Sequence, residues 1–250
     1  GIHMLSLIQN EWMKWWTMKK SKIVLALYVL IAVGVVVVAK MNDADFTRSD
    51  YYMLMTIILF NLLGIITIVF TAETVGNEVR YDTMKHLLMS PYSRMTIYFS
   101  KLLFSILIML GQFIFIVIIT YAASFAFSEA GDGIQWRDTV FSLVTPVFTI
   151  FMTLFFSLVF RSVGMIIGFT VLAQFFTSIA GTVLLAFKPE IAKWIVLMHL
   201  DWSMYFKGAL TYGTAEPMGT TLTFSVLFVL AHILVLFGGS ILIFQKKSYL

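Results

Sequence analysis

Six long apolar stretches separated by polar segments dominate the pattern of this chain, at residues 23–39, 52–72, 102–127, 140–160, 163–187 and 221–244. A helix needs about 20 apolar residues to cross a hydrocarbon core of roughly 30 Å. Each stretch meets or approaches that length. A backbone surrounded by lipid must pair its own polar groups, so the stretches are predicted to be helices. The first is short, which predicts a locally thinned bilayer or flanking lysines that reach past it to the headgroups. Pro146 lies inside the fourth stretch and predicts a kink there, because proline removes a backbone donor.

The polar segments carry patterns of their own. In residues 4–22, Leu5, Ile8, Trp12, Trp15 and Trp16 fall on one arc of a 3.6-residue helix, opposite Ser6, Asn10, Lys14 and Thr17. That predicts an interfacial helix lying among the headgroups. Gly1, Ile2 and His3, ahead of Met4, read as an expression scar at 1–3. Residues 188–220 hold Ile191, Trp194, Ile195, Leu197 and Met198, which predicts short amphipathic helices at the outer interface. Between the second and third spans, residues 73–101 place Tyr81, Met84 and Leu88 on one helical face beside Leu87, ringed by Arg80, Asp82 and Lys85. Pro91 ends that helix. Spacing alone leaves two readings open. The helix is either a lever gripped by a partner or a capped connection that touches nothing.

Composition turns this pattern into a class. The chain is 60% apolar and 12% charged, whereas a soluble domain carries about 25% charged residues. Lipid is therefore the solvent for most of its surface, and residues 23–250 read as one six-helix transmembrane domain. The fold class expected is all-α and integral to the membrane. It comprises six spans, an N-terminal interfacial helix, a cytoplasmic coupling helix and short outer helices before the last span. Basic residues orient it. With both termini cytoplasmic, eleven fall inside: Lys14, Lys19, Lys20, Lys22, Arg80, Lys85, Arg94, Lys101, Arg161, Lys246 and Lys247. Six fall outside: Lys40, Arg48, Arg137, Lys188, Lys193 and Lys207. Nine of the thirteen acids lie outside as well. This is the positive-inside asymmetry.

Candidate chemistry is sparse. No Gly-rich phosphate loop ends in Gly-Lys-Ser/Thr, and Gly238-Gly239-Ser240 lacks the lysine and sits within the sixth span. His86, His199 and His232 are scattered, with no second metal ligand at helical spacing. No His-Glu-x-x-His or Gly-x-Ser-x-Gly pattern is present, and the absence of cysteine removes thiolate sites and disulfides. The chain is not expected to be an enzyme by itself, nor to bind a metal or cofactor or nucleic acid. The six stretches contain no Asp, Glu, Lys or Arg; Asn61, Gln112, Gln174 and His232 are their main polar groups. Carriers driven by ion gradients place ionisable residues near the midplane, so energy is expected to arrive from outside the membrane.

The second span ends in acidic residues, and after it come Asp82-Thr83, Leu87-Leu88, Pro91, Ser93-Arg94 and Lys101. This pattern resembles the signature of ABC-2 type transporter permeases, where it commonly runs Glu, Gly-Thr, a Leu pair, and Pro-x-Ser-Arg before a Lys opening the third helix. Asp82 departs from the usual Gly. The layout of the whole chain is similar to that family too. The resemblance implies a permease subunit of an ATP-driven exporter in the bacterial plasma membrane. Its partners would be a cytoplasmic ABC ATPase subunit that holds ATP and Mg, a second permease subunit (a homodimer rather than a heterodimer), and membrane lipid. It implies that residues 74–90 include the helix that docks into the ATPase, with Glu78, Arg80, Tyr81, Asp82, Thr83, Met84, Leu87, Leu88, Pro91 and Arg94 at the coupling site. Size and character are similar to permeases that export antibiotics or amphipathic toxin peptides of the phenol-soluble modulin type. The alternatives are a gradient-driven carrier and a membrane immunity or scaffold protein that moves nothing.

Overall fold

The structure is a computed structural model that describes the backbone of residues 2–80 and 94–246, and the side chains of 4–15, 18–76 and 94–246. Nine α-helices are described: α1 (Ile2–Thr17), α2 (Lys19–Met41), α3 (Arg48–Arg80), α4 (Arg94–Ser124), α5 (Trp136–Phe141), α6 (Val144–Val159), α7 (Val163–Phe187), α8 (Pro189–Ala192) and α9 (Leu222–Lys246). Three 3₁₀ turns, Val196–His199, Trp202–Tyr205 and Glu216–Met218, lie between α8 and α9. No strand occurs among the described residues. Among the described residues, six helical segments are long and apolar enough to cross a membrane: α2, α3 through Gly76, α4, the α5–α6 pair, α7 and α9.

The boundaries differ from the hydropathy pattern in instructive ways. The first span is 23 residues long, roughly 35 Å at 1.5 Å per residue, so no thinning is required. Lysines at both of its ends extend the helix beyond its apolar stretch. The third span begins at Arg94 rather than 102 and ends at Ser124 rather than 127. The fourth is divided, but the break falls at Ser142–Leu143 rather than at Pro146. A proline ring clashes with the carbonyl four residues earlier, here Ser142. Pro146 thus sits in the first turn of α6, where its missing donor costs nothing.

The N-terminal segment also departs from expectation. α1 ends at Thr17, and residues 19–22 belong to the first span. The Ser21 hydroxyl donates to the Trp15 carbonyl at 2.5 Å and closes the joint between the helices. Leu7 and Trp15 are buried against the bundle, whereas Leu5 and Trp12 of the expected arc are exposed. The Trp16 side chain lies outside the described residues. Packing on α4, rather than the apolar arc alone, therefore sets the rotation of α1.

α3 is the central element and lies against α4, α6 and α7. Tyr28, Tyr51, Met55, Leu59, Leu63, Met109, Ile116, Ile150 and Leu154 form its core, and Phe60 stacks on Phe113 with ring centres 4.7 Å apart. Buried hydroxyls return their protons to the preceding turn. Thr153 donates to the Thr149 carbonyl and Ser157 to the Thr153 carbonyl, each at 2.7 Å. This local pairing makes polar side chains tolerable in lipid. α2, α7 and α9 turn broad apolar faces outward, including Val33, Phe176 and Leu234, as helices facing lipid do.

Candidate functional site at the base of residues 81–93

α3 and α4 are the two longest helices, at 33 and 31 residues. Each spans roughly 45–50 Å at 1.5 Å per residue, well beyond a hydrocarbon core of about 30 Å. The excess lies at the C-terminal end of α3 and the N-terminal end of α4, where the sequence turns polar. Residues 81–93 join these two ends. The termini side of the bundle thus carries two helix ends held out from the apolar zone.

Three links anchor this base. Lys20 of α2 donates to Glu73 of α3 at 2.6 Å. Lys20 is mostly exposed, and a pair of that kind contributes about 0–1 kcal/mol. Lys101 of α4 pairs with Glu11 of α1, and both side chains are nearly buried. Arg94 of α4 donates through Nη1 to the Phe244 carbonyl at 2.5 Å and to the Gln245 carbonyl at 3.3 Å, near the end of α9. Those carbonyls belong to the last turn, which has no partners within its own helix, and a cation is favoured at that end of the helix dipole. Gly76 completes the base. A Cβ there would come within 2.5 Å of Val163 Cγ2, so its absence lets α3 pass close to the start of α7.

Of the expected coupling residues, Arg94 is placed by the structure, as a tie between α4 and α9. The side chains of Glu78 and Arg80, and all of Tyr81, Asp82, Thr83, Met84, Leu87, Leu88 and Pro91, lie outside the described residues. Glu11, Glu73 and Gly76 were not singled out from the sequence. Their partners could not be read from spacing, since those of Glu11 and Glu73 lie 90 and 53 residues away, beyond any helical spacing.

On the opposite side, Arg48 Nε donates to the Phe127 carbonyl at 2.9 Å, and the Asp132 amide donates to Ser49 Oγ at 3.2 Å. His199 lies in the segment before α9. Its Nε2 faces the Lys193 carbonyl at 2.7 Å and must donate, so Nδ1 accepts from Ser225 Oγ at 2.7 Å. Burial lowers its pKa and keeps the ring neutral. His232 bonds through Nδ1 to the Phe228 carbonyl of its own helix at 2.8 Å. Among the described residues no group of three or more His, Asp or Glu is placed to hold a metal.

Six apolar spanning helices around a buried core define a multi-pass helical membrane protein. The chain belongs to the family described as protein of unknown function DUF2705, whose profile matches residues 19–250. It is also similar to Uncharacterized protein YhcI of Bacillus subtilis (strain 168), with 28% identity over 211 residues. That match takes in 75% of this chain and 64% of the relative, so the chain spans less than two thirds of the relative's length.

Proposed function

We propose that this chain is the permease subunit of an ATP-driven exporter of the ABC-2 type. In this reading it sits in the bacterial plasma membrane with both termini cytoplasmic, pairs with a second permease subunit, and is driven by a separate ATPase that holds ATP and Mg. The observation that carries the reading is the base described above. Two helices reach past the apolar zone and are braced by links to α1, α2 and α9, and in the sequence they flank residues 81–93. A braced pair of this kind transmits a push at its polar end into the bundle. The six apolar stretches hold no Asp, Glu, Lys or Arg, which supports an external energy source. ATP would drive transport only through contacts that differ between the two states of the permease pair. The cargo proposed is an amphipathic peptide or lipophilic antimicrobial, since its apolar face can stay against lipid-facing Phe, Leu and Met while its polar face meets the subunit boundary.

Affinity purification of the chain from its native membrane tests this directly. A cytoplasmic ATPase is expected to co-purify, with hydrolysis stimulated by amphipathic helical peptides and not by sugars or small ions. Leu88→Asp is expected to abolish that stimulation while leaving the protein in the membrane, because a carboxylate in an apolar groove is costly to bury. A chain that recovers no ATPase overturns the reading. Full stimulation of the Leu88→Asp protein moves the coupling contact elsewhere.

A further inference from the structure

Asn61 stands apart from the other polar groups singled out in the apolar stretches. Gln112 accepts from Tyr28 at 2.7 Å, Gln174 donates to Thr149 at 3.0 Å, and His232 bonds to the Phe228 carbonyl. Asn61 is exposed, and its amide makes no hydrogen bond to any described residue. Its depth makes that costly. Trp136 meets Tyr52 and Tyr121 ring to ring, with centres 5.7 and 5.6 Å apart, and such rings gather at the membrane interface. Asn61 lies nine residues beyond Tyr52 along α3, roughly 14 Å at 1.5 Å per residue. That is close to the middle of a hydrocarbon core of about 30 Å, where an unmet amide is expensive.

Asn61 lines a cleft of about 330 Å³ between α3, α5–α6 and the segment before α9, on the side opposite the base. The polar lining descends in steps. At the level of the aromatic rings, the Tyr52 hydroxyl meets that of Thr139 at 2.9 Å. Thr145 lies six residues beyond Thr139, is exposed, and makes no hydrogen bond to any described residue. The carbonyl one turn back, that of Phe141, lies on the far side of the break at Ser142–Leu143. Asn61 follows deeper, and Met53, Ile57 and Phe60 supply apolar wall between. Two carboxylates, Asp138 and Asp201, line the cleft, and no lysine or arginine does. Asp138 lies 3.4 Å from Arg137 Nε, whose guanidinium rests on Phe206 outside the lining. Asp201 accepts from the Ser203 amide at 3.1 Å and from the Thr211 hydroxyl, and pairs with no cation among the described residues. The exposed Lys207 precedes the lining Gly208 but is not itself part of the lining.

We propose that this cleft is hydrated down to Asn61 and binds a small organic cation. The charged group sits by Asp138 and Asp201, and the apolar body lies along Met53, Ile57 and Phe60. Water follows the ligand inward and meets Thr145 and Asn61. Free polar groups at successive depths favour water over lipid tails, which would leave each of them unmet. A cleft lined by one sign of charge raises the local concentration of the opposite ion by about tenfold or more, whereas an anion would meet two carboxylates and no lining cation. The volume lies within the range of small-ligand pockets, roughly 300–1,000 Å³. The inference goes beyond the exporter reading and does not depend on it, since this chain alone forms the cleft.

The test exploits the lack of cysteine. Asn61→Cys and Thr145→Cys are made singly in the full chain, with Asp43→Cys as an exposed loop reference on the same side. Leu234→Cys, near the middle of α9 and 68% exposed, is the lipid-facing control. Modification rates are measured with two membrane-impermeant methanethiosulfonates, one carrying trimethylammonium and one sulfonate. Both are added to the membrane face from which Asp43→Cys reacts, so the result is independent of orientation. The cationic reagent is expected to modify positions 61 and 145 within about tenfold of its rate at 43 and to leave 234 unmodified. Its advantage over the anionic reagent should be about tenfold larger at 61 and 145 than at 43. Asp138→Asn with Asp201→Asn should remove that difference. Benzyltrimethylammonium should protect 61 and 145 saturably, by about tenfold at ten times its half-protecting concentration, and benzenesulfonate should not. Rates at both 61 and 145 as low as at 234 overturn the proposal in favour of lipid. Equal preference for the two reagents at all positions, or no protection by the cation, also overturns it.

Discussion

Lys101 shows how one residue fastens two helices. Its side chain is 4% exposed, and its partner Glu11 is 12% exposed. A nearly buried charge is tolerable only with its counterion present, and removing one partner of such a pair typically costs about 3–5 kcal/mol. Lys101→Met is therefore expected to lower the thermal midpoint of the purified protein and expose α1 to proteolysis. Glu11→Gln combined with Lys101→Met should destabilise less than Lys101→Met alone, because no orphaned charge remains. Midpoints of the two single variants and the double variant close the cycle. An additive result would mean that the two groups do not depend on each other.

At the scale of the element, glycines separate packing from propensity. Gly76 and Gly34 are both helical, yet a Cβ at Gly76 meets Val163 whereas one at Gly34 meets nothing within 4 Å. Alanine improves a helix interior by about 0.5–1 kcal/mol over glycine, so Gly34→Ala is expected to be neutral or stabilising. Gly76→Ala gains the same term but must push α3 from α7, at a cost of typically 1–3 kcal/mol. Its net effect is a lower midpoint, read by circular dichroism during heating. The elements themselves were largely legible in the sequence, since a run of apolar residues admits one structure in lipid. Their ends were not. Hydropathy falls at residues 73 and 101, but helices continue into polar segments because their backbone pairing does not depend on hydrophobicity. The burial side of α1 was hidden for another reason. The arc through Trp12 was the most apolar, but Leu7 and Trp15 meet α4, and that choice depends on a surface far along the chain. Asn61 stood out as a polar residue in an apolar run, yet its cleft exists only once α3, α5 and α6 meet the segment before α9. The expected coupling residues other than Arg94 fall in the side chains at 77–80 and the segment 81–93, which the described structure does not include.

For the whole molecule, the lack of cysteine makes topology directly measurable. Asp43→Cys and Glu216→Cys lie on the loop side, away from the base formed by α3 and α4. They are expected to react with a membrane-impermeant maleimide in intact cells, whereas Lys85→Cys should react only after lysis. Labelling of position 85 from outside would invert the orientation. The three links at the base have a further consequence, for synthesis on the ribosome. Lys20 can meet Glu73 once the second span has emerged, and Glu11 can meet Lys101 only after the third begins. Arg94 waits for Phe244, the last of these partners to be made. The fasteners thus close in a fixed order from N- to C-terminus. A nascent chain halted before α9 would hold its first three spans together but leave α4 untied to the helix that completes the bundle.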